Sequence, residues 1–399
     1  MTAAVVIAQG LPRYDNGLGL ALASSLRIYC RAFNPILFLA ITEESFDPTL
    51  ETVYPNVQFR CFPMHRSSYL RRFLASLPTS LPGCVMQMHA DRHYKAIEHE
   101  VRKISAEAGN TWCIVENIAP SIFVPFLKER FPHITVVYRS HDVSEDAFAM
   151  FAQQGVFPVR WAWKWEVMRV HNLEARVLAA ADRVWAITED DSALYERLHG
   201  HRCDGVLEVQ IDIARYASVL PGSPQRLLYL GSSDPRKASG LYRFLHECWP
   251  IIHRRHPDLE LWIGGPGTER FADVSHGVRA VGRVPDEIEF LSGGLAFINP
   301  QDTGTGIKLK SLVAMAAGRL LLSSSNGVRG IGGEPGRHYL VADTPEGLAA
   351  HIDSLCSDVG MALTIAAAGT DFVKERYNIA DQDMHYSKFV HLIHNSNQT

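Results

Sequence analysis

At 399 residues the chain is too long for one ordinary core and comfortable for two. Apolar residues make up 47% and charged residues 21%, which excludes a disordered chain. A net charge of −4, from 39 basic and 43 acidic residues, excludes bulk electrostatic attraction to nucleic acid or anionic lipid.

The opening residues MTAAVVIAQGLPRYDNG hold a short apolar stretch with no basic segment before it, so they read as a first β-strand and not a signal peptide. Further strands are expected over 36–40, 113–115, 134–138 and 183–187, and in the second half over 227–230, 259–263, 294–298 and 320–323. Helical patterns fill 18–31, 159–180, 240–256, 307–317 and 345–368, and 371–395 is helical and aromatic-bearing. Alternating strands and helices with two-sided apolar strands predict parallel sheets covered on both faces, an α/β fold. The expected organisation is an N-terminal domain over 1–205, a linker over 206–224, a second Rossmann-like domain over 225–370, and a C-terminal segment, 371–399, that caps the second domain or crosses back to the first. No apolar run approaches the roughly 20 residues of a membrane span. The seven cysteines are scattered and contain no C-x-x-C pair, arguing against a disulfide framework and a zinc site and fitting a reducing compartment. A cytoplasmic protein is expected, with the inner face of a membrane as an alternative location.

Within the first half, VRWAWKWEVMRVH sets Trp161, Trp163 and Trp165 among Arg160, Lys164 and Arg169. Such a stretch suits lipid headgroups or a lipid-linked acceptor, or else packs in a core or interface. Residues 148–157 just before it read as an acceptor loop. In the second half, LGSSDPRKASGL follows a strand and places Ser232, Ser233, Arg236 and Lys237 in a strand-to-helix turn, facing the crevice at the strand ends or simply solvated.

The most informative stretch is NPQDTGTGIKLKSLVAMAAG, residues 299–318. A strand ends, a glycine-bearing turn follows, and a helix is expected to begin near Gly306, where backbone N–H groups and the helix dipole attract an anion. A cation in the first helical turn opposes that dipole, so Lys308 fits if a phosphate lies between; Lys310 points to a different side of an ideal helix. An ordinary helix start with two surface lysines remains the alternative. Asp381-Gln-Asp383 matches a metal-binding D-x-D in spacing only and reads as a solvated turn, and Gly264–Gly267 lacks dinucleotide-fingerprint spacing.

These segments, with WIGGPG, VRAVGRVPDEIEFLSGGLAFINP and GRHYLVADTPEGL, resemble the donor domain of retaining group 1 glycosyltransferases of the GT-B fold, glycosyltransferase family 4. The first half is similar more weakly, through VVYRSHDVSEDAF and NLEARVLAAADRVWAITEDD. The resemblance implies two Rossmann-like domains facing across a cleft, a nucleotide diphosphate sugar as donor, a glycan, lipid-linked or protein-linked acceptor, and no metal or other cofactor. It implies that Lys237, with Arg236, neutralises the diphosphate and that Gly306 and Lys308 add backbone and charge contacts. Ser232, Ile307, Lys310 and Val313 fall in the donor-binding segments. His141 takes the place of a histidine that contacts the donor sugar, unless it is a structural strand-end histidine. Gly17 and Gly19 resemble a loop near donor and acceptor, or only make a turn. The family's usual glutamates are replaced by Val313 and Thr305, and an arginine after the first glycine of the donor turn by Ser232. The architecture so implied is shared by a nucleotide-sugar epimerase or hydrolase, one alternative to sugar transfer, and the missing glutamates permit another, a nucleotide-binding protein with a decayed site.

Overall fold

Alternate residues of the first strand, Ala3, Val5 and Ile7 against Ala4, Val6 and Ala8, enter two separate apolar clusters, because a strand's side chains point to opposite faces. A sheet buried on both faces requires helices on both faces, which is the arrangement found in the computed structural model. It describes residues 2–13, 16–65, 67–154 and 157–394, with the side chains at 154, 235–237, 382 and 394 outside the described set. The chain divides into two units, residues 1–209 with 381–399, and residues 210–380.

The first unit holds β1 Ala3–Gln9, β2 Ile36–Thr42, β3 Val57–Pro63, β4 Thr111–Glu116, β5 Thr135–Arg139, β6 Arg183–Ala186 and β7 Gly205–Val206, all parallel, in the order 3-2-1-4-5-6-7. Val5 pairs with Leu37 on one side and Cys113 on the other, so the most apolar strands take the middle. The final helix, Gln382–His394, belongs to this unit: Phe389 is fully buried 5.6 Å from Tyr29, 6.3 Å from Phe33 and 5.2 Å from Trp185, ring centre to ring centre. Each such aromatic pair contributes about 0.5–1.5 kcal/mol beyond its buried area. Asp383 of the discounted D-x-D forms an exposed ion pair with Arg31 at 2.8 Å.

The second unit holds β8 Ser223–Leu230, β9 Glu260–Gly264, β10 Val278–Gly282, β11 Gly294–Asn299, β12 Leu320–Ser323 and β13 Leu340–Val341, parallel and ordered 10-9-8-11-12-13. In both sheets the strand order therefore reverses beside the first strand, between β1 and β4 and between β8 and β11. In open parallel sheets the crevice at the carboxyl ends of those strands is where ligands bind.

Three expectations need correction. The helix expected over 345–368 is two helices, Pro345–Ser357 and Val359–Tyr377, bent by 109°. Asp358 leaves the helical region and its carboxylate caps the second helix by accepting from the Met361 N–H, which ends one helix and starts the next. The stretch expected over 240–256 runs instead as helices Pro235–Arg243 and Trp249–Arg255 joined by one π turn, Phe244–Cys248. Pro250 has no N–H to give to the ladder, and the wider turn before it absorbs the mismatch. Most of the proposed acceptor loop, 148–154, lies in a helix, Ser144–Gln154; residues 155 and 156 lie outside the described residues. Its first turn is capped by the buried Glu174 carboxylate, which accepts from the N–H groups of Ser144 and Glu145 at 2.9 and 3.2 Å.

Among the described residues no single helix is long and apolar enough to cross a membrane. All seven cysteines are free.

Candidate active site

In the second unit β11 ends at Asn299, and the chain loops before the helix Leu309–Ala316. The helix starts three residues later than the glycine pattern suggests, because Gly304 and Gly306 take φ values of +101° and +67° that break helical geometry. Lys308 is the N-cap and is 4% exposed. Its ammonium donates to the carbonyls of Gly304, Thr305 and Gly306 at 2.8, 2.9 and 3.2 Å. The only cis peptides among the described residues are Asn34–Pro35 and Phe157–Pro158, so each peptide of this loop is trans, with its N–H antiparallel to its C=O. Carbonyls drawn in toward Lys308 therefore turn the N–H groups of Thr305, Gly306 and Ile307 the other way. Among the described residues nothing accepts a hydrogen bond from those three N–H groups, and the Thr305 hydroxyl is buried without a partner. Successive unpaired amides beside a helix start form a concavity suited to an anion.

The loop's two ends are fixed. The Asn299 side chain donates to the Ser311 hydroxyl at 2.8 Å and to the Gly327 carbonyl at 3.0 Å, and Ser311 donates to that same carbonyl at 2.6 Å. The turn after β8 lies alongside. Gly231 and Ser233 donate to the carbonyls of Gly264 and Pro266, and the Ser239 hydroxyl donates to Asp302 at 2.6 Å. Contact is too close for side chains: a Cβ on Gly240 would fall 1.8 Å from the Pro300 carbonyl oxygen, and one on Gly265 1.8 Å from that of Gly231. Residues 231–234, 264–267 and 300–308 thus form one surface at the switch point of the second sheet.

Of the residues expected here, the structure brings together Ser232, Gly306, Ile307 and Lys308. Arg236 and Lys237 lie in the first turn of Pro235–Arg243, with their side chains outside the described residues. Lys310 sits with its ammonium 5.2 Å from the centre of the ring of Tyr229, a residue of β8, in a cation–π contact. Val313 is 8% exposed and packs as a core residue.

In the first unit the corresponding position is built from side chains. Glu116, the last residue of β4, is fully buried; its Oε2 accepts from Arg139 at 2.9 Å and lies 2.6 Å from His141 Nε2, while Oε1 accepts from Tyr29 at 2.8 Å and Ser25 at 3.2 Å. Burial alone would raise the Glu116 pKa, but the Arg139 charge, and then the His141 and Tyr29 contacts, hold it at about 2. Arg139 also donates to the Leu207 carbonyl at 3.0 Å. His141 is therefore a positioned ring with an ionised carboxylate behind one nitrogen. Asn117, next after Glu116, takes a left-handed φ of +76°, and its carboxamide oxygen accepts from the Ile118 N–H at 2.6 Å. Gly17 and Gly19 form the first turn of Gly17–Ala32, where Asn16 accepts from the Gly19 N–H at 2.8 Å and Gly19 passes Arg13 too closely for a Cβ.

Glu116 is the functional candidate that sequence reasoning missed. Its signal is a single acidic residue closing an otherwise apolar strand, TWCIVE. A cavity of about 540 Å³ lies elsewhere, toward the amino ends of the first unit's strands near Thr2, Asn110 and Thr135, and holds none of the expected site residues.

The tryptophan stretch divides. Trp163 packs on Tyr69, Phe148 and Phe151 at 5.1, 5.7 and 5.4 Å, and Trp165 meets Phe73 at 5.8 Å under the Arg169 guanidinium. Trp161 alone of the three is exposed, at 65%.

Residues 224–358 match the family model described as glycosyl transferases group 1. An uncharacterised 44.6 kDa protein in the cps region of Klebsiella pneumoniae is 26% identical over 155 residues, which cover 36% of this chain and 40% of that protein's length. Among solved structures, Anabaena HepE in complex with UDP superposes with a TM-score of 0.65 at 13% identity, covering 98% of this chain and 99% of that one. Sucrose-phosphate synthase from Thermosynechococcus elongatus gives 0.72 at 14% identity over 98% and 99%. TarM gives 0.68 at 8% identity over 99% of each chain. At these identities the likeness establishes the fold: α/β, GT-B, with two Rossmann-like units.

Proposed function

We propose that the protein is a glycosyltransferase that takes a sugar from a nucleotide diphosphate donor, with retention of configuration and without a metal at the reacting centre. The observation that carries this reading is the surface of unpaired N–H groups at Thr305, Gly306 and Ile307, set inside the segment that matches group 1 glycosyl transferases. In the transfer, the bond from the sugar's anomeric carbon to the β-phosphate oxygen breaks as the acceptor oxygen bonds to that carbon. The nucleoside diphosphate leaves with the negative charge, and the acceptor's proton passes to it or to solvent. Fixed amide dipoles aimed at that charge are what such a step needs. Lys237 and Arg236 are assigned to the same phosphates, and His141 to the donor sugar, from the resemblance. Several solved relatives are described as bound to UDP or a UDP-sugar, so UDP is the first nucleotide to try.

The test has two parts. Thermal stabilisation by UDP, GDP and dTDP identifies the nucleotide, because binding to the native state raises the melting point. Donor turnover is then compared with and without acceptor in wild type, Lys237→Ala and Lys308→Ala. Transfer is supported by acceptor-dependent turnover that both substitutions cut; turnover without acceptor indicates an epimerase or hydrolase instead. Val313, which offers no carboxylate to a ribose, favours the second reading of a decayed binder, and nucleotide binding without any turnover would establish it.

For the acceptor we favour a molecule at a membrane face. The helices Tyr69–Ser76 and Val159–Ala180 pack through Tyr69 and Trp163; Leu70, Leu74 and Trp161 on them, and Phe157 just before the second, are exposed, as are Arg71, Arg160 and Lys164. Co-sedimentation with anionic but not neutral vesicles, lost in Trp161→Ser with Leu70→Ser, is expected of a cytoplasmic protein that docks there. Equal sedimentation of the variant would remove this assignment.

A further inference from the structure

Behind the turn that carries His141, three helices of the first unit gather a polar cluster that sugar transfer does not use. Ser144–Gln154 supplies Glu145, Val159–Ala180 supplies His171 and Glu174, and Glu189–His199 supplies His199. His171 Nδ1 lies 2.8 Å, and His199 Nε2 3.2 Å, from the same Glu145 oxygen. One ligand-competent atom from each of Glu145, His171 and His199 lies within 4.8 Å of the other two.

The His199 side chain is 2% exposed, and neither ring nitrogen makes a hydrogen bond. Its approach to Glu145 is close but poorly aligned, and Glu174 Oε2 is farther, at 3.5 Å. A buried imidazole without an aligned hydrogen bond is costly, whereas a cation among Glu145, His171 and His199 would meet all three at once.

We propose that Glu145, His171 and His199 bind one divalent metal ion of zinc's class. Two imidazoles and one carboxylate suit zinc and are a poor set for magnesium or calcium, which prefer oxygen ligands. In a tetrahedral zinc site with bonds of about 2.0–2.1 Å, neighbouring ligand atoms stand roughly 3.4 Å apart. The 2.8 and 3.2 Å separations at Glu145 are within a small side-chain movement of that spacing. The two rings stack with centres 4.7 Å apart and planes 22° apart, so coordination turns one of them. His171 is that one, because its side chain is 42% exposed and its ring has room to swing about the Cβ–Cγ bond. The open side at His171 leaves the fourth position to water. Glu174 stays outside the ligand set, since its carboxylate already accepts from the N–H groups of Ser144 and Glu145 and from the Tyr195 hydroxyl.

The role is structural: the ion ties three helices together four residues beyond His141. Cysteine spacing gave no sign of this site because the cluster contains no cysteine.

The test uses the full chain without a histidine tag, with the exposed Cys356 changed to serine to remove an adventitious thiol ligand. Protein stripped with a chelator is dialysed against Zn²⁺ or Mg²⁺, and bound metal and melting temperature are measured. One equivalent of zinc, a raised melting temperature with Zn²⁺ but not Mg²⁺, and loss of both effects in His171→Ala with His199→Ala are expected. Should the double variant fail to fold, His171→Gln alone, at the half-exposed ligand, serves with the same readouts. Zinc content and melting temperature that do not differ between wild type and variant would overturn the proposal and leave an ordinary histidine–carboxylate cluster.

Discussion

At the carboxyl ends of β1 and β4 the chain buries a carboxylate, a guanidinium and a phenol; between β8 and β11, the same place in the second sheet, it presents glycines and unpaired amides. The strand order is the same in the two sheets apart from the added β7, yet one switch point is filled and the other is lined. In the first, Glu116 accepts from Arg139, Tyr29 and Ser25, and the buried cluster holds a single ring, His141, at its edge. In the second, Lys308 is consumed by three carbonyls of its own loop, and what it leaves outward is backbone. Side chains fix the first site's architecture, and backbone conformation fixes the second.

That contrast can be broken at four points, in falling order of effect. Glu116→Leu strands the Arg139 charge inside the first unit, and removing one partner of a buried pair costs about 3–5 kcal/mol. Urea unfolding should show that loss, and a loss under about 1 kcal/mol would mean that the pair is not closed as described. Gly306→Val forces a β-branched residue to a φ of +67° and turns the amide surface. Donor turnover should fall by roughly 10²–10³, the effect of losing preorganised donors at a developing charge, with a much smaller change in urea midpoint than Glu116→Leu. Lys308→Met keeps most of the side chain's length and removes its three hydrogen bonds to the loop carbonyls. The expected result is weaker nucleotide binding with the nucleotide's salt dependence little altered, because the ammonium shapes the loop and does not itself meet the phosphates. A flattened salt dependence would place the ammonium on the phosphates.

The mildest break is acid. The folded Glu116 pKa of about 2 lies below the 4.5 of the free group, so its stabilisation is complete above pH 4.5 and drains away as pH falls toward 2. The stability gap between wild type and Glu116→Leu should narrow through that window and be flat from pH 5 to 7. A gap that widens on acidification would contradict the assignment of an ionised, paired carboxylate.

The same contrast explains what could be read from the residues alone. Strands such as β1, β2 and β12 are continuous apolar runs and were legible; β3, VQFRCFP, alternates exposed and buried positions, and β7 and β13 have two residues each, too few to carry a pattern. The glycine turn at 304–306 was legible because positive φ demands glycine. Which way its peptides face was not, since that depends on where Lys308 finds its acceptors. The sequence reading aimed Lys308 outward at an anion, on the helix-dipole argument; folding directs it inward. Glu116 was invisible for a related reason: its partners Tyr29 and Arg139 are 87 and 23 residues away, and only the parallel sheet brings them to one point.

The central claim is that backbone amides of the second unit hold the donor's diphosphate. A crystal structure with the nucleoside diphosphate that most stabilises the protein tests it directly. The account predicts phosphate oxygens about 2.7–3.2 Å from the N–H nitrogens of Thr305, Gly306 and Ile307, with Lys308 still turned into its loop. A diphosphate bound elsewhere, or one gripped by the Lys308 ammonium with those amides facing away, would contradict it.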